Sequence, residues 1–295
     1  MQTAWGEVEV ADAHVHFFSR RFFAALGEQC GIQPADVAAQ LNWELPPAEP
    51  AELARAWAGE LDSHGVARAA LIASIPEEEA STIAAAAAFP DRFYAFAMVN
   101  PCVEHTLVVK GLHAICLFPA MHLYSVQDRR VEALLEQAAA CRCAVFVHCG
   151  VLSVGVRKKL GLPSLFDMRY SNPLDLHAVA LRHPGVRFIV PHFGAGYFRE
   201  ALMLADLCPN VYLDTSSSNS WMRFEGLDLA TVFRRALGVA GPHRLLFGSD
   251  SSFFPRGWNH EIFDLQTRAL HEVGIGAADA RQILGGNLRR VLTEF

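Results

Sequence analysis

The stretch Val8-Glu9-Val10-Ala11-Asp12-Ala13-His14-Val15-His16 lies near the start of the chain, and its β-branched, near-alternating pattern predicts a strand. Side chains two apart in a strand point to the same face, so His14 and His16 should project together from its C-terminal end. Each imidazole carries two nitrogens that need partners, and neutral imidazole is a common ligand of zinc and similar metals. Taken alone, the pair fits either a metal site or two hydrogen-bonded histidines at a strand end.

Seven further apolar segments have the composition of buried parallel strands, and helix-like segments alternate with them. This alternation predicts an α/β fold, a (β/α)8 TIM barrel, formed as a single domain over residues 1–295. Residues 19–48 contain several glycines and prolines, which predicts an irregular insertion after the first strand. This insertion is expected to lie as a lid beside the strand ends. The predicted strands are Val8–His16, Ala67–Ser74, Phe93–Val99, Gly111–Phe118, Cys143–Cys149, Val186–His192, Val211–Thr215 and Arg244–Asp250.

The composition excludes several classes of protein. The 295 residues are 52% hydrophobic and carry a net charge of −6, with both signs interspersed, which argues against nucleic acid or an anionic membrane as a partner. The chain has no uninterrupted apolar run of about 18 residues, and its start lacks the pattern of a signal peptide. Seven cysteines without paired spacing are typical of reduced thiols. We therefore expect a cytoplasmic protein that acts on a small molecule.

Ionisable residues fall at the ends of the predicted strands. His148 lies at the C-terminal end of the fifth strand, next to its last residue, and the sixth and eighth strands end at His192 and Asp250. Each residue alone is compatible with a structural role at a strand end. Barrel enzymes, however, gather their catalytic residues at the C-terminal mouth, so these three and the first-strand histidines are expected to share one cavity.

Four segments together resemble a known family. Asp12-Ala13-His14-Val15-His16, Val147-His148-Cys149-Gly150, Pro191-His192-Phe193-Gly194 and Phe247-Gly248-Ser249-Asp250 are similar to motifs of the amidohydrolase superfamily. They most resemble its amidohydrolase family 2 branch, which includes aminocarboxymuconate-semialdehyde decarboxylase and related hydratases and lactone hydrolases. The resemblance implies one divalent metal ion bound by His14, His16, His148 and Asp250, with His192 beside the metal-bound water. It also suggests a homodimer.

Cys116 marks a departure from that family. Many members carry a lysine in the fourth strand, and in binuclear superfamily members a carbamylated lysine bridges two metals. The matching segment here is Ala114-Ile115-Cys116-Leu117-Phe118-Pro119, so a carbamate bridge at that position is excluded. A bridging thiolate is conceivable, but a small buried cysteine is the commoner case, and we favour a mononuclear site.

Such a ligand set predicts a water-activating enzyme. Three imidazoles and a carboxylate leave a zinc ion one open position, where the pKa of a water falls to about 7; Mn²⁺ or another divalent ion is an alternative. His192 is the natural proton acceptor, and Asp250 can share that role. The main hypothesis is a hydrolase of an amide, ester or lactone bond. A decarboxylase of an unsaturated or aromatic acid and a non-catalytic binding barrel are the alternatives.

Residues for substrate recognition are suggested only by loop position. Arg157 and Arg169 lie in the segment after the fifth strand, and Trp221 and Arg256 lie in the loops 216–221 and 251–258. An arginine binds a carboxylate through two parallel hydrogen bonds, and aromatic loops favour a planar or cyclic molecule. The sequence therefore predicts a small, carboxylate-bearing substrate bound by some of these four residues.

Overall fold

The computed structural model describes residues 1–103, 109–152, 154–216 and 219–295, and its centre is an eight-stranded parallel sheet in which each strand pairs with the next along the chain. Helices surround this sheet, so the predicted (β/α)8 TIM barrel is confirmed. The barrel strands are β1 (Ala11–Phe17), β2 (Arg68–Ala73), β3 (Phe93–Val99), β4 (Ala114–Leu117), β5 (Ala144–Val147), β6 (Phe188–Val190), β7 (Val211–Asp214) and β8 (Leu245–Leu246). A small antiparallel pair, Gln2–Thr3 with Gly6–Glu7, precedes them.

The barrel closes where β1 meets the segment that follows β8. The backbone amide of Ala13 donates to the carbonyl of Phe247 at 2.8 Å, and the amide of Asp250 donates to the carbonyl of His14 at 3.0 Å. The amide of His16 donates to the carbonyl of Ser251 at 2.7 Å. These three bonds form the closing seam of the barrel.

The helices confirm the alternation, with some corrections. Residues 19–48, predicted to be irregular, contain two helices, Arg20–Cys30 and Pro34–Leu41. A further helix, Leu229–Ala240, lies between β7 and β8, where the sequence analysis assigned none. The α-helices are α1 (Arg20–Cys30), α2 (Pro34–Leu41), α3 (Pro50–His64), α4 (Glu79–Ala88), α5 (Pro119–His122), α6 (Arg129–Ala140), α7 (Gly155–Lys159), α8 (His177–Arg182), α9 (Phe198–Leu207), α10 (Met222–Glu225), α11 (Leu229–Ala240), α12 (His260–Val273), α13 (Ala277–Arg281) and α14 (Asn287–Thr293). The segment Gln282–Gly286 is a π-helical turn.

Local sequence explains why the insertion is helical. Ser19 caps α1 by accepting hydrogen bonds from the amides of Arg21 and Phe22, and Gly31 ends the helix in the left-handed conformation. The apolar faces of α1 and α2 then form a hydrophobic cluster with Val156 from the segment after β5. We call residues 19–48 the cap.

Two features position the site within this fold. The pairing of β1 with β2 shifts register between Asp12 and Val15, and such a bulge re-aims the side chains that follow it. The last strand is shorter than predicted, because residues 247–250 follow β8 as an irregular segment.

Among the described residues, no helix is long and apolar enough to cross a membrane.

Candidate metal centre

Five ionisable residues from four places in the barrel line one cavity at the C-terminal ends of the strands. The cavity has a volume of about 360 Å³. The five residues are His14 and His16 on β1, His148 after β5, His192 after β6 and Asp250 after β8. The structure thus brings together all the residues that the sequence analysis chose as metal ligands or as the proton acceptor.

Three of these residues form a tight cluster of possible ligand atoms. Donor atoms of His14, His16 and Asp250 all lie within 4.8 Å of one another. The Oδ1 atom of Asp250 is 3.6 Å from Nε2 of His14 and 3.3 Å from Nε2 of His16. Two imidazole nitrogens and a carboxylate oxygen at this spacing are a suitable donor set for a divalent transition metal.

Hydrogen bonds fix which ring nitrogen of His14 and His16 is free. Nδ1 of His14 donates to Oδ2 of Asp214 at 2.7 Å. Nδ1 of His16 lies 2.7 Å from Oγ of Ser74, whose hydroxyl donates to the carbonyl of Ile72 and therefore accepts from the ring. Because each Nδ1 carries a proton, both Nε2 atoms keep a lone pair for a cation.

His148 has an unsatisfied nitrogen. Its side chain is 4% exposed and stacks on Phe118 with ring centroids 5.4 Å apart. Its buried Nδ1 finds no hydrogen-bond partner among the described residues. A buried polar atom of this kind normally has a partner, and a metal ion is one that fits a neutral imidazole. The residues present therefore fit a bound metal ion, although His148 is not part of the 4.8 Å cluster.

A hydrogen bond fixes which ring nitrogen of His192 can accept a proton. Its Nδ1 donates to the backbone carbonyl of Ser216 at 2.8 Å, and a carbonyl oxygen can only accept. The neutral ring therefore keeps its lone pair on Nε2. Its ring centroid lies 5.0 Å from that of His14 and 5.4 Å from that of His148.

Burial controls the charge of the site. Burial lowers the pKa of His16, His148 and His192, and neighbouring histidines lower the pKa of His148 further. Burial also opposes ionisation of Asp250, but its proximity to His16, His14 and His192 holds its pKa below the usual range. For His14, burial lowers the pKa, but the charge and hydrogen bond of Asp214 together with the charges of Asp250 and Asp12 outweigh burial, and the pKa is raised. The cavity thus presents mostly neutral imidazoles around one carboxylate.

The backbone around these residues is strained. His192 (φ 54°), Phe193 (φ 52°) and Asp250 (φ 60°) all adopt the left-handed conformation, which costs non-glycine residues roughly 1–3 kcal/mol each. Gly150, with φ +80°, follows the β5 histidine, and a Cβ there would lie 2.1 Å from the carbonyl oxygen of Gly194. Strain gathered at strand ends in this way is typical of a functional site.

The cap and Phe18, the residue just before it, supply an aromatic wall. Phe18 stacks on Phe22 with centroids 4.0 Å apart, and Trp43 stacks on Phe253 at 4.1 Å. Phe18, Phe22 and Trp43 all line the cavity. The cavity therefore favours a substrate with a flat or apolar part.

Arg256 lines the cavity beside Asp250. Its Nη2 donates to the backbone carbonyl of Asp250 at 3.0 Å and to Oγ of Ser252 at 2.8 Å. Its guanidinium also lies 4.7 Å from the ring centroid of Phe253. Arg256 is thus placed both to support the strained Asp250 backbone and to meet an anionic group in the cavity.

The other three predicted substrate residues lie elsewhere. Arg157 donates to the carbonyl of Pro163 and to Gln29 of the cap. Arg169 is 81% exposed and pairs with Asp167, and Trp221 is 2% exposed in the core. None of the three is among the described residues that line the cavity, so their role in binding substrate stays a prediction. Residues 153, 217 and 218 of the predicted loops lie outside the described residues.

Sequence reasoning missed the residues that hold the histidine rings in place. Asp214, Ser216 and Ser74 contact the ligand rings but resemble ordinary strand ends in the sequence. Asp12 is fully buried and accepts from the amide of Ser249 at 3.0 Å, so it ties β1 to the seam. Asp12 begins the first of the four family-like segments, but the sequence analysis gave it no role of its own. Cys116 is buried inside the barrel, and burial raises the pKa of its thiol well above the usual value.

Comparisons with known proteins bear on the family and on the fold. A family model described as Amidohydrolase matches residues 11–293. Protein fluG of Emericella nidulans is 34% identical over 102 residues, which are 35% of this chain and only 11% of that protein.

Two solved structures share the fold over nearly the whole chain. A zinc-bound amidohydrolase from Burkholderia multivorans is 17% identical with a TM-score of 0.64, covering 96% of this chain and 99% of that one. The 5-carboxyvanillate decarboxylase LigW from Sphingomonas paucimobilis is 14% identical with a TM-score of 0.61, covering 97% of this chain and 99% of that one. At these identities the likeness extends to the fold alone.

Proposed function

The chain belongs to the amidohydrolase family, and we propose that it is a metal-dependent hydrolase that cleaves an amide, ester or lactone bond of a small, carboxylate-bearing substrate. The observation that carries this proposal is the convergence of His14, His16 and Asp250, with their donor atoms within 4.8 Å of one another. His148 would complete the ligand set through its unpartnered Nδ1. Zn²⁺ is the proposed ion, because imidazole and carboxylate donors suit it and a similar fold from Burkholderia multivorans holds it.

A divalent ion bound there would polarise a carbonyl oxygen and lower the pKa of a water molecule. The protein's own contribution to the reaction is proton transfer. Nε2 of His192 is the acceptor for the proton of the attacking water, since Nδ1 is already committed to the carbonyl of Ser216. The protonated ring can then return this proton to the leaving group. Asp250 is placed to accept a hydrogen bond from the same water.

Arg256 is proposed to bind the carboxylate of the substrate. Its guanidinium lies next to the backbone of Asp250, and an anion held there would place the reacting group close to the ligand cluster. The aromatic wall formed by Phe18, Phe22 and Trp43 would pack against the flat part of the molecule. Closing the cavity with apolar side chains also excludes bulk water from the reaction.

The second candidate is a metal-dependent decarboxylase of an unsaturated or aromatic acid. Arg256 beside an aromatic wall is also suitable for a planar acid. Decarboxylation requires a group that delivers a proton to carbon, and Nε2 of His192 could deliver one after accepting it. The same five residues therefore support either reaction, and the two candidates are separated by experiment.

Labelled water separates the candidates. The zinc-loaded protein is incubated in H₂¹⁸O with a panel of lactones, esters, N-acyl amino acids and hydroxybenzoic acids. Hydrolysis is expected to place ¹⁸O in the product carboxylate and to be lost in His192→Asn. Release of carbon dioxide without ¹⁸O in the remaining product would favour the decarboxylase. A fully loaded protein that converts none of these compounds would contradict both proposals and favour a non-catalytic barrel.

A further inference from the structure

The end of β7 lies directly behind two of the site histidines. Asp214 and Ser216 are both fully buried, and neither is among the described residues that line the cavity. The carboxylate of Asp214 uses both oxygens: Oδ2 accepts from Nδ1 of His14 at 2.7 Å, and Oδ1 accepts from the amide of Ser216 at 2.6 Å. A buried carboxylate is costly unless it is paired in this way. Asp214 is therefore held rigidly by its own strand end.

Ser216 connects the same ligand ring to the proton acceptor. Its Oγ lies 2.9 Å from Nδ1 of His14 and 3.1 Å from Nδ1 of His192. Its backbone carbonyl accepts from Nδ1 of His192 at 2.8 Å. A rotation of either ring would thus break a hydrogen bond to this one residue.

Gly248 provides the space for this arrangement. A Cβ at this position would lie 2.6 Å from Oδ1 of Asp214, 2.7 Å from Cβ of Ser216 and 3.0 Å from Cβ of His14. Real Cβ atoms do not approach other atoms so closely, so there is no room for a side chain between the seam and the end of β7. The side chains behind the two histidines consequently have little freedom to move.

We propose that Asp214 and Ser216 are positioning residues of the active site. Asp214 keeps the proton of His14 on Nδ1 and directs Nε2 toward the ion, and Ser216 fixes the ring of His192 relative to that of His14. This inference rests on the metal role proposed above for His14. A ligand histidine whose second nitrogen loses its carboxylate partner typically binds metal 10–100-fold more weakly.

Asp214→Asn tests the first half of the inference. An amide can present an N–H group to Nδ1, which would favour the wrong tautomer of His14. We expect the Kd for Zn²⁺, measured with the full chain by competition against a chromophoric chelator, to rise about 10–100-fold. A Kd within about twofold of that of the unmodified protein would overturn the assignment of Asp214. Since no substrate is involved, this outcome is independent of whether the chain is a hydrolase.

Ser216→Ala, with Thr215→Ala as its matched control, tests the second half. Thr215 is equally buried on the same strand end, but its Oγ1 donates to Oε1 of Gln266 at 2.6 Å. Visible absorption of the Co²⁺-loaded protein reports the coordination geometry. We expect Ser216→Ala to change this spectrum and Thr215→Ala to leave it unchanged. Equal spectra for all three proteins, or equal changes in both variants, would overturn the role of Ser216. This test of the second half does not depend on whether Asp214→Asn folds.

Discussion

Replacing His148 with phenylalanine should make the metal-free protein more stable and at the same time remove its response to metal. The imidazole is 4% exposed, and its Nδ1 has no hydrogen-bond partner among the described residues. Its ring stacks on Phe118 at 5.4 Å, a contact that a phenyl ring can keep. The adjoining cavity of about 360 Å³ has room for the slightly larger side chain.

The magnitude follows from the unsatisfied nitrogen. Leaving a buried polar atom without a partner costs about 1–3 kcal/mol, so the free energy of unfolding of the metal-free variant should rise by about that amount. Zn²⁺ at 100 times its Kd should stabilise the parent by about 2.7 kcal/mol, whereas a variant without this ligand should gain much less. Urea unfolding followed by circular dichroism, with chelator or with Zn²⁺, measures both effects.

His122→Phe is the matched control. His122 also has a buried Nδ1 without a partner among the described residues, but it does not belong to the described residues that line the cavity. The response to Zn²⁺ should therefore survive in this variant. The reasoning is refuted if metal-free His148→Phe unfolds at lower urea than the parent, or if Zn²⁺ stabilises it as strongly as the parent.

Three other perturbations test the charge and packing around the site. Burial raises the pKa of Glu78 to about 8, so the folded protein favours the neutral carboxyl group. Its contribution to the free energy of unfolding is present at low pH and is lost as the pH rises from about 4.5 through 8. Urea unfolding across that range should show a flatter dependence of stability on pH for Glu78→Gln than for the parent. Arg256→Ala should raise KM for a carboxylate substrate about tenfold or more, and surface Arg182→Ala should leave KM unchanged. Gly150→Ala should unfold at a markedly lower urea concentration than the parent, because its Cβ would overlap a backbone oxygen. As a control, Gly59→Ala inside α3, where a Cβ meets no other atom, should stabilise the protein by about 1 kcal/mol.

The barrel could be predicted because buried parallel strands are apolar on both faces. Runs such as Phe93–Val99 have no polar residue to suggest a solvent-facing side, and all of Phe93–Val99 is buried in the structure. A histidine or aspartate that ends such a run interrupts the pattern, and topology then brings the strand ends together. The placement of His148 and Asp250 in one cavity with His14 thus follows from strand order alone.

The supporting residues could not be predicted, because their role depends on contacts between distant segments. Asp214 and Ser216 are separated from His14 by about 200 residues, and their local sequence resembles any polar strand end. Loop position also proved a weak guide to binding residues. Arg157 lies after β5 as expected, but the helical cap offers it Gln29, a partner that is visible only once the cap has folded.

The closing seam explains why fold and site arise together. The bond from the amide of Asp250 to the carbonyl of His14 lies between those that join Ala13 to Phe247 and His16 to Ser251. The hydrogen bonds that close the barrel therefore fix the distance between the ligand side chains on either side of the seam. Because the left-handed backbone of Asp250 is held by this pairing, its strain is offset by barrel closure. A change that loosens the seam should consequently weaken metal binding before it unfolds the barrel, since the ligands separate as soon as β1 and the segment after β8 move apart.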